Sequence, residues 1–298
     1  RTWDLLYRTQ PHGRSGLIMH AISAVDCALW DLTAKRHNLP VYRLLGGPTR
    51  PFIDAYAQAK GLPLHPEHLL PQARKIIDAG WSRLKVFLNH GPADGPEGIE
   101  HNISILRTLR QGLPAHVELM ADAWRSWDYP YALQMVRRLE PLGIRWIEEP
   151  LPPEMPQLYA DLRRATSIPI SCGEHECTRF GHKALLDASA VDILQPDVTW
   201  AGGITETLRI AALASTAGVP LCPHTNLLQP TVHLLAVLAP AAAPLLEYPV
   251  FEDNFTAQYL LKNPIRAVEG KVALPAEAGL GMEWDDAKIE SCQDITFE

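Results

Sequence analysis

Asp122, Glu148, Glu174, Asp197, His224 and Glu247 follow one another at gaps of 26, 26, 23, 27 and 23 residues. The first three are carboxylates, and oxygen donors with room left for water and a substrate oxygen suit a hard divalent cation, most simply Mg²⁺. Asp197 and His224 are the parts of a general base. A carboxylate on one imidazole nitrogen fixes the tautomer, raises basicity and leaves the other nitrogen for substrate. Lys85 adds an ammonium that can neutralise a bound carboxylate or act as a second base, and Glu247, held protonated, can hydrogen-bond an oxyanion. Taken singly, each reads as a loop acid, a capped histidine or a solvated lysine, and the shared phase makes them a set. Glu149 competes with Glu148, because neighbours at a strand end point to opposite sides; spacing leaves that choice open.

Each of the six ends a short apolar run: 117–121, 144–147, 168–171, 191–194, 219–223 and 245–246. A gap of this size holds one strand, one helix and two short loops. Two earlier runs, 53–57 and 83–87, bring the strands to eight, with helices predicted at 66–79, 95–110, 129–142, 155–165, 179–188, 204–217 and 231–239. Asp128 before Tyr129-Pro130 is a good helix cap. This alternation predicts an α/β fold, a TIM-type (β/α) barrel, in which all strand carboxyl ends meet at one face and the six residues surround one site. No glycine-rich phosphate turn follows the first run, which argues against an open doubly wound sheet.

The 298 residues, 47% of them hydrophobic, suffice for a large core, and one barrel of about 250 residues is usual. A net charge of -7 offers no basic footprint for nucleic acid. The longest apolar stretch, 234–246, holds two prolines and is too short for a bilayer. The five cysteines (Cys27, Cys172, Cys177, Cys222, Cys292) have neither metal spacing nor the density of a disulfide scaffold, so reduced thiols and a cytoplasmic setting are expected.

Several runs carry a family resemblance. Leu119-Met120-Ala121-Asp122-Ala123-Trp124, Trp146-Ile147-Glu148-Glu149-Pro150, Ser171-Cys172-Gly173-Glu174-His175, Gln195-Pro196-Asp197 through Gly202-Gly203, and Pro223-His224 resemble the enolase superfamily, mandelate racemase subgroup. Within it they most resemble the L-rhamnonate dehydratases. Ala28-Leu29-Trp30-Asp31-Leu32 and Pro40 to Gly47 resemble the helix and turn leading into that family's barrel, and Gly279-Leu280-Gly281 its closing segment. The resemblance spans nearly the whole chain. It implies that Asp122, Glu148 and Glu174 bind Mg²⁺, which selects Glu148 over Glu149. It also implies an Asp197–His224 dyad that removes the proton alpha to a substrate carboxylate, with Glu247 supporting the charge that develops. His175, His90 and Trp200 are expected as substrate contacts.

Racemases of the subgroup carry Lys-x-Lys on strand two, whereas this chain has Lys85-Val86-Phe87. Without the second base, elimination is favoured: His224 takes the alpha proton and returns it to a beta hydroxyl leaving on the same face, converting a sugar acid to a 2-keto-3-deoxy acid. The alternatives are an epimerase, racemase or cycloisomerase on the same scaffold, and a catalytically silent barrel. The resemblance further implies that most of an amino-terminal capping domain is missing. Residues 1–50 would be its remnant and the lead-in helix, 51–250 the barrel, and 251–298 a segment packed outside it or completing the cap. Relatives tend to be homo-oligomers, and the same is expected here.

Overall fold

The computed structural model describes residues 2–10, 12–251 and 258–289. The chain opens with α1 (Thr2–Thr9), α2 (Gly16–Arg36) and the single turn α3 (Val41–Leu44). Alternation then runs through β1 (Phe52–Gln58), α4 (Pro66–Asp78), β2 (Arg83–Phe87), α5 (Gly95–Gly112), β3 (Glu118–Asp122), α6 (Tyr129–Leu139) and β4 (Ile147–Glu148). It continues with α7 (Pro156–Arg164), β5 (Ile170–Cys172), α8 (Thr178–Asp187), β6 (Ile193–Leu194), α9 (Gly203–Thr216), α10 (Leu228–Val237) and β7 (Leu246–Pro249). A hairpin, β8 (Ala267–Val268) and β9 (Lys271–Ala273), lies outside the ring, with β9 antiparallel to the start of β1. Of the closing segment 251–298, residues 252–257 and 290–298, with Cys292, lie outside the described residues.

Parallel pairing joins β6 through β5, β4, β3 and β2 to β1, and β1 to β7. A single parallel bridge, Leu194 to Leu221, stands where the predicted strand 219–223 should be. Pro220 and Pro223 have no N–H for a ladder, so only Leu221 and Cys222 donate, to Ala242 O at 2.8 Å and Leu194 O at 3.0 Å, while Pro220 O accepts Leu194 N–H at 3.0 Å. The ring therefore has the eight-fold order of a TIM-type barrel with its seventh strand cut to a bridge. Strand interiors are buried throughout, as Leu119, Met120 and Ala121 of β3 show, and the helices lay their apolar stripes on them. Asp128 caps α6 through Tyr131 N–H at 2.9 Å. The last crossover helix begins at Leu228, three residues before its predicted start, since Pro230 is tolerated in a first turn.

By length and apolarity α2 would suffice to cross a bilayer, yet its polar residues are bonded into the barrel. Asp26 accepts from Thr205 N–H at 2.9 Å and from its hydroxyl at 2.6 Å, and Ser23 Oγ accepts from Gly202 N–H at 2.9 Å, while Trp3 of α1 adds a bond from Nε1 to Gly202 O at 2.7 Å. Asp26 thus caps α9 from another helix. Gly203 permits the approach: at φ +82° a Cβ there would lie 2.5 Å from Asp26 Oδ2. Asp26→Ala strips this cap and leaves two half-buried donors of Thr205 without it, so a loss of about 2 kcal/mol is expected, at the upper end for caps. A urea midpoint unchanged from wild type would remove Asp26 from that role.

His233 of α10 is fully buried and accepts Tyr42 N–H at Nδ1, 3.2 Å away. Burial pulls its pKa from 6.5 down to about 4. The folded state thus binds the proton more weakly than the unfolded one, so the contribution is present above pH 6.5 and fades as pH falls toward 4. About 3 kcal/mol of stability is expected to disappear across that window. His233→Asn keeps an acceptor for Tyr42, and its denaturation midpoint should fall less steeply with acid than that of wild type.

Candidate active site

The strand register brings the carboxylates together. Asp122 is paired with Glu148, and Glu148 with Ser171, three residues before Glu174. Asp122, Glu148, Glu174, Asp197 and Glu247 are all buried. Lys85, predicted as a surface group in its plainest reading, is instead fully buried among them. Its Nζ lies 2.5 Å from Glu148 Oε1, 2.7 Å from Glu247 Oε1 and 3.1 Å from Asp122 Oδ2. Burial works against its charge, but Glu148 and Glu247 outweigh that and hold the lysine well above its usual pKa. An ammonium so held is a poor base, so of the two roles expected for Lys85 the geometry favours charge neutralisation.

The same contacts sort the carboxylates. Burial opposes ionisation of Glu148, yet Lys85 draws its pKa below the ordinary value, while burial pushes Asp122 well up despite Lys85 and lifts Glu174 to about 7. Gln195 Nε2 donates to Glu148 Oε2 at 2.7 Å, a partner unforeseen in the sequence. It stands directly after β6 and two positions before Asp197, and its place at a strand end in the same beat could have revealed it. Glu247 also accepts Thr225 N–H at 3.1 Å.

Asp197 sits just past β6 and is saturated with donors. Oδ1 accepts Thr199 N–H and hydroxyl, each at 2.6 Å, and Oδ2 accepts Asn226 N–H at 3.0 Å and faces His224 Nδ1 at 2.7 Å. Nε2 of His224 is directed at Glu174 Oε2, 3.8 Å away. Burial pulls His224 down, but Glu174, Glu247 and Asp197 together carry it well above the usual imidazole value. The ring of Trp200 lies 4.9 Å from that of His224, and His20 of α2 stacks on Trp200 at 5.6 Å.

These groups face a cavity of about 230 Å³ lined by Lys85, Asp122, Glu174, His175, Trp200, His224 and Glu247 among others. Phe87, Lys60 and Trp124 complete its mouth; Lys60 and Trp124 stand two positions past the ends of β1 and β3, a spacing that the strand-end search did not reach. Glu148 lies beneath, fully buried under Lys85. His175 and Trp200 are at the cavity, as expected for substrate contacts. His90 is not. Three residues past β2 the chain has turned outward, with His90 O accepting from Asn102 and Trp127 and its ring set against His101 at 4.5 Å.

Five buried carboxylates against one ammonium and one imidazole leave negative charge in excess, and buried charge demands a partner. The oxygen set of Asp122, Glu148 and Glu174 fits a hard divalent ion. A second set, Glu149, Glu174 and His175, already has ligand atoms within 4.8 Å of one another. The first set suits Mg²⁺ better, because it is all oxygen and because a cation, Lys85, already bridges two of its members.

Comparison with known proteins bears on the whole chain. Residues 68–288 match the family description "Enolase C-terminal domain-like", and residues 1–46 match "Mandelate racemase / muconate lactonizing enzyme, N-terminal domain". An L-rhamnonate dehydratase from Saccharopolyspora erythraea is 36% identical over 291 residues, 95% of this chain and 71% of that protein. The crystal structure of rhamnonate dehydratase from Gibberella zeae complexed with Mg superposes with a TM-score of 0.85 at 32% identity, covering 96% of this chain and 69% of that one. The 3,6-anhydro-D-galactonate cycloisomerase from Zobellia galactanivorans gives 0.86 at 35% identity, over 96% of this chain and 79% of that one. With a match of that extent to the barrel and identity above a third along nearly the entire sequence, the chain belongs to the mandelate racemase and muconate lactonizing enzyme family of the enolase superfamily.

Proposed function

We propose that this chain is a hydro-lyase that dehydrates a sugar acid of the aldonate type, similar to L-rhamnonate, to the 2-keto-3-deoxy acid, with Mg²⁺ held by Asp122, Glu148 and Glu174. One observation carries the choice of elimination: His224 stands on its carboxylate partner at the cavity, while β2, which lines the same cavity, presents the apolar ring of Phe87 two residues beyond Lys85 where a second base would be needed. Inverting a carbon requires a base on each face. Eliminating water on one face does not.

Asp197 holds Nδ1 of His224, so Nε2 is the nitrogen that takes the alpha proton; a divalent ion on Glu174 would offset the carboxylate charge that raises this imidazole and leave Nε2 able to accept. Lys85 and Glu247 lie where charge develops on the substrate carboxylate, and Lys85 supplies a fixed positive charge there. A bound divalent ion would supply Lewis acidity toward the same oxygens. The burial of these groups excludes water from the charges, which strengthens each interaction. The dehydratase names and the Mg complex among the relatives support this reading.

The test is a screen of acid sugars with Mg²⁺ in D₂O, read for 2-keto product and for deuterium at the alpha carbon. Keto product with loss of water is expected. Exchange without loss of water would favour an epimerase or cycloisomerase, and neither product nor Mg²⁺ binding in calorimetry would leave a silent barrel.

A further inference from the structure

β1 contributes nothing to the chemistry so far described, yet it ends in the cavity. Its last residue, Gln58, is 7% exposed and lines the cavity with Lys85 and Glu247. Among the described residues its side chain makes no hydrogen bond, and Oε1 is buried without a partner. Other buried glutamines are paired: Gln195 donates to Glu148 at 2.7 Å, and Gln229 and Gln258 bond each other at 2.9 and 2.7 Å. A buried acceptor left unpaired costs free energy, so Gln58 is built to meet whatever occupies the cavity.

The strand register says which part of an occupant it meets. Gln58 is paired with Lys85 of β2, and Tyr56, one side-chain layer deeper on the same face, is paired with Glu247 of β7. A substrate whose carboxylate rests on Lys85 and Glu247 therefore carries its further carbons past Gln58. A carboxylate has no proton to give to Oε1, whereas a hydroxyl has one. Trp124 stands at the same mouth with its ring 57% exposed, on a turn where Trp124 and Arg125 are both left-handed, at φ +45° and +61°. Asp122 Oδ1 holds that turn by accepting Trp124 N–H at 2.9 Å, and Arg125 N–H donates to Glu149 O at 2.7 Å. Strain fastened in this way at a cavity mouth points to a contact surface. An apolar ring and one buried acceptor suit a chain that presents C–H and hydroxyl groups on successive carbons.

We propose that Gln58 is a specificity-determining residue, whose carboxamide oxygen accepts a hydrogen bond from a substrate hydroxyl beyond the two reacting carbons, at C4 or C5. This rests on the dehydratase reading above and narrows it to acids hydroxylated at that position. Trp124 supports the carbon chain without reading any one hydroxyl.

Three substrates test the assignment: the aldonate that the wild-type chain dehydrates, and its 4-deoxy and 5-deoxy analogues, which keep the alpha proton and the leaving hydroxyl. In wild type, kcat/KM for one of the two deoxy acids should fall about 10- to 100-fold below the parent, the usual cost of leaving a buried acceptor unpaired. Gln58→Met, close in length and lacking the acceptor, should lose a similar factor on the parent and treat parent and that deoxy acid alike within about twofold. Both rates are read on one preparation, so any loss of folded protein cancels from the ratio. Trp124→Ala should weaken all three acids and keep the wild-type ratio. Equal rates on the three acids in wild type, or a wild-type ratio retained in Gln58→Met, would overturn the proposal. So would a ratio abolished by Trp124→Ala, which would make the shape of the mouth the reader, or Mg²⁺ affinity lost in Gln58→Met by calorimetry, which would move the effect to the metal. A wild-type chain that dehydrates no aldonate overturns the dehydratase reading and this inference with it.

Discussion

His224→Asn is expected to lower kcat for dehydration by about 10⁴-fold, the upper end for a general base, while leaving Mg²⁺ affinity within about twofold. The two halves of this expectation come from different parts of the site. Asn can still donate an amide N–H toward Asp197 Oδ2, which His224 Nδ1 now faces at 2.7 Å, so the loop that carries Asp197 keeps its anchors on Thr199 and Asn226. What disappears is a nitrogen able to accept a proton from carbon. The proposed metal set stands at the ends of β3 and β4 and just past β5, and His224 is not part of it. Calorimetry with Mg²⁺ and a keto-acid assay on one preparation read both halves. Retained turnover would remove His224 as the base, and lost Mg²⁺ affinity would place it among the ligands.

Lys85→Met should have a large effect of another kind. The ammonium is the sole protein cation between Asp122, Glu148 and Glu247 among the described ion pairs, and all four groups are buried. Removing one partner of a buried ion pair typically costs about 3–5 kcal/mol, because the remaining charge is left unpaired. That loss is expected in urea denaturation without metal. With saturating Mg²⁺ the variant should recover much of it, since a divalent ion compensates the same carboxylates and stabilises whichever state binds it. Stabilisation by Mg²⁺ should therefore be larger in Lys85→Met than in wild type. Equal stabilisation in both would mean that lysine and metal do not share these carboxylates.

The fold class was legible because a strand-end residue recurring at the length of a βα unit reports the barrel directly, and Asp122 through Glu247 kept that beat. Element details were less legible where a local rule was outvoted. Pro220 and Pro223 flank an apolar run that looks like a strand but has too few donors to be one. Pro230 looks like a stop and is in fact a first-turn residue of α10. In the site, the placements that follow from phase are the ones the spacing could supply. Lys85 at a strand end reads the same whether solvated or buried, and its burial depends on three carboxylates from β3, β4 and β7. His90 shares the motif-rich loop after β2 but turns outward, since its carbonyl is claimed by Asn102 and Trp127. Alternation separates Glu148 from Glu149 but leaves open which of them meets Lys85, and the φ of +42° at Glu149 is announced by no residue type in Glu-Glu-Pro.

The capping of α9 by Asp26 also bears on the order in which the molecule assembles. Asp26 and Thr205 are 179 positions apart, and Trp3 and Gly202 are 199 apart. A chain emerging from its amino terminus makes α2 early, yet the partners of its buried polar groups appear only after six strands have followed. Contacts of such separation carry the largest loop-closure cost and form late. The pairing that closes the barrel, Ala55 of β1 with Leu246 of β7, spans a similar length of chain, so the loop bearing Asp197 and Trp200 is expected to be fastened together with the closing of the barrel wall.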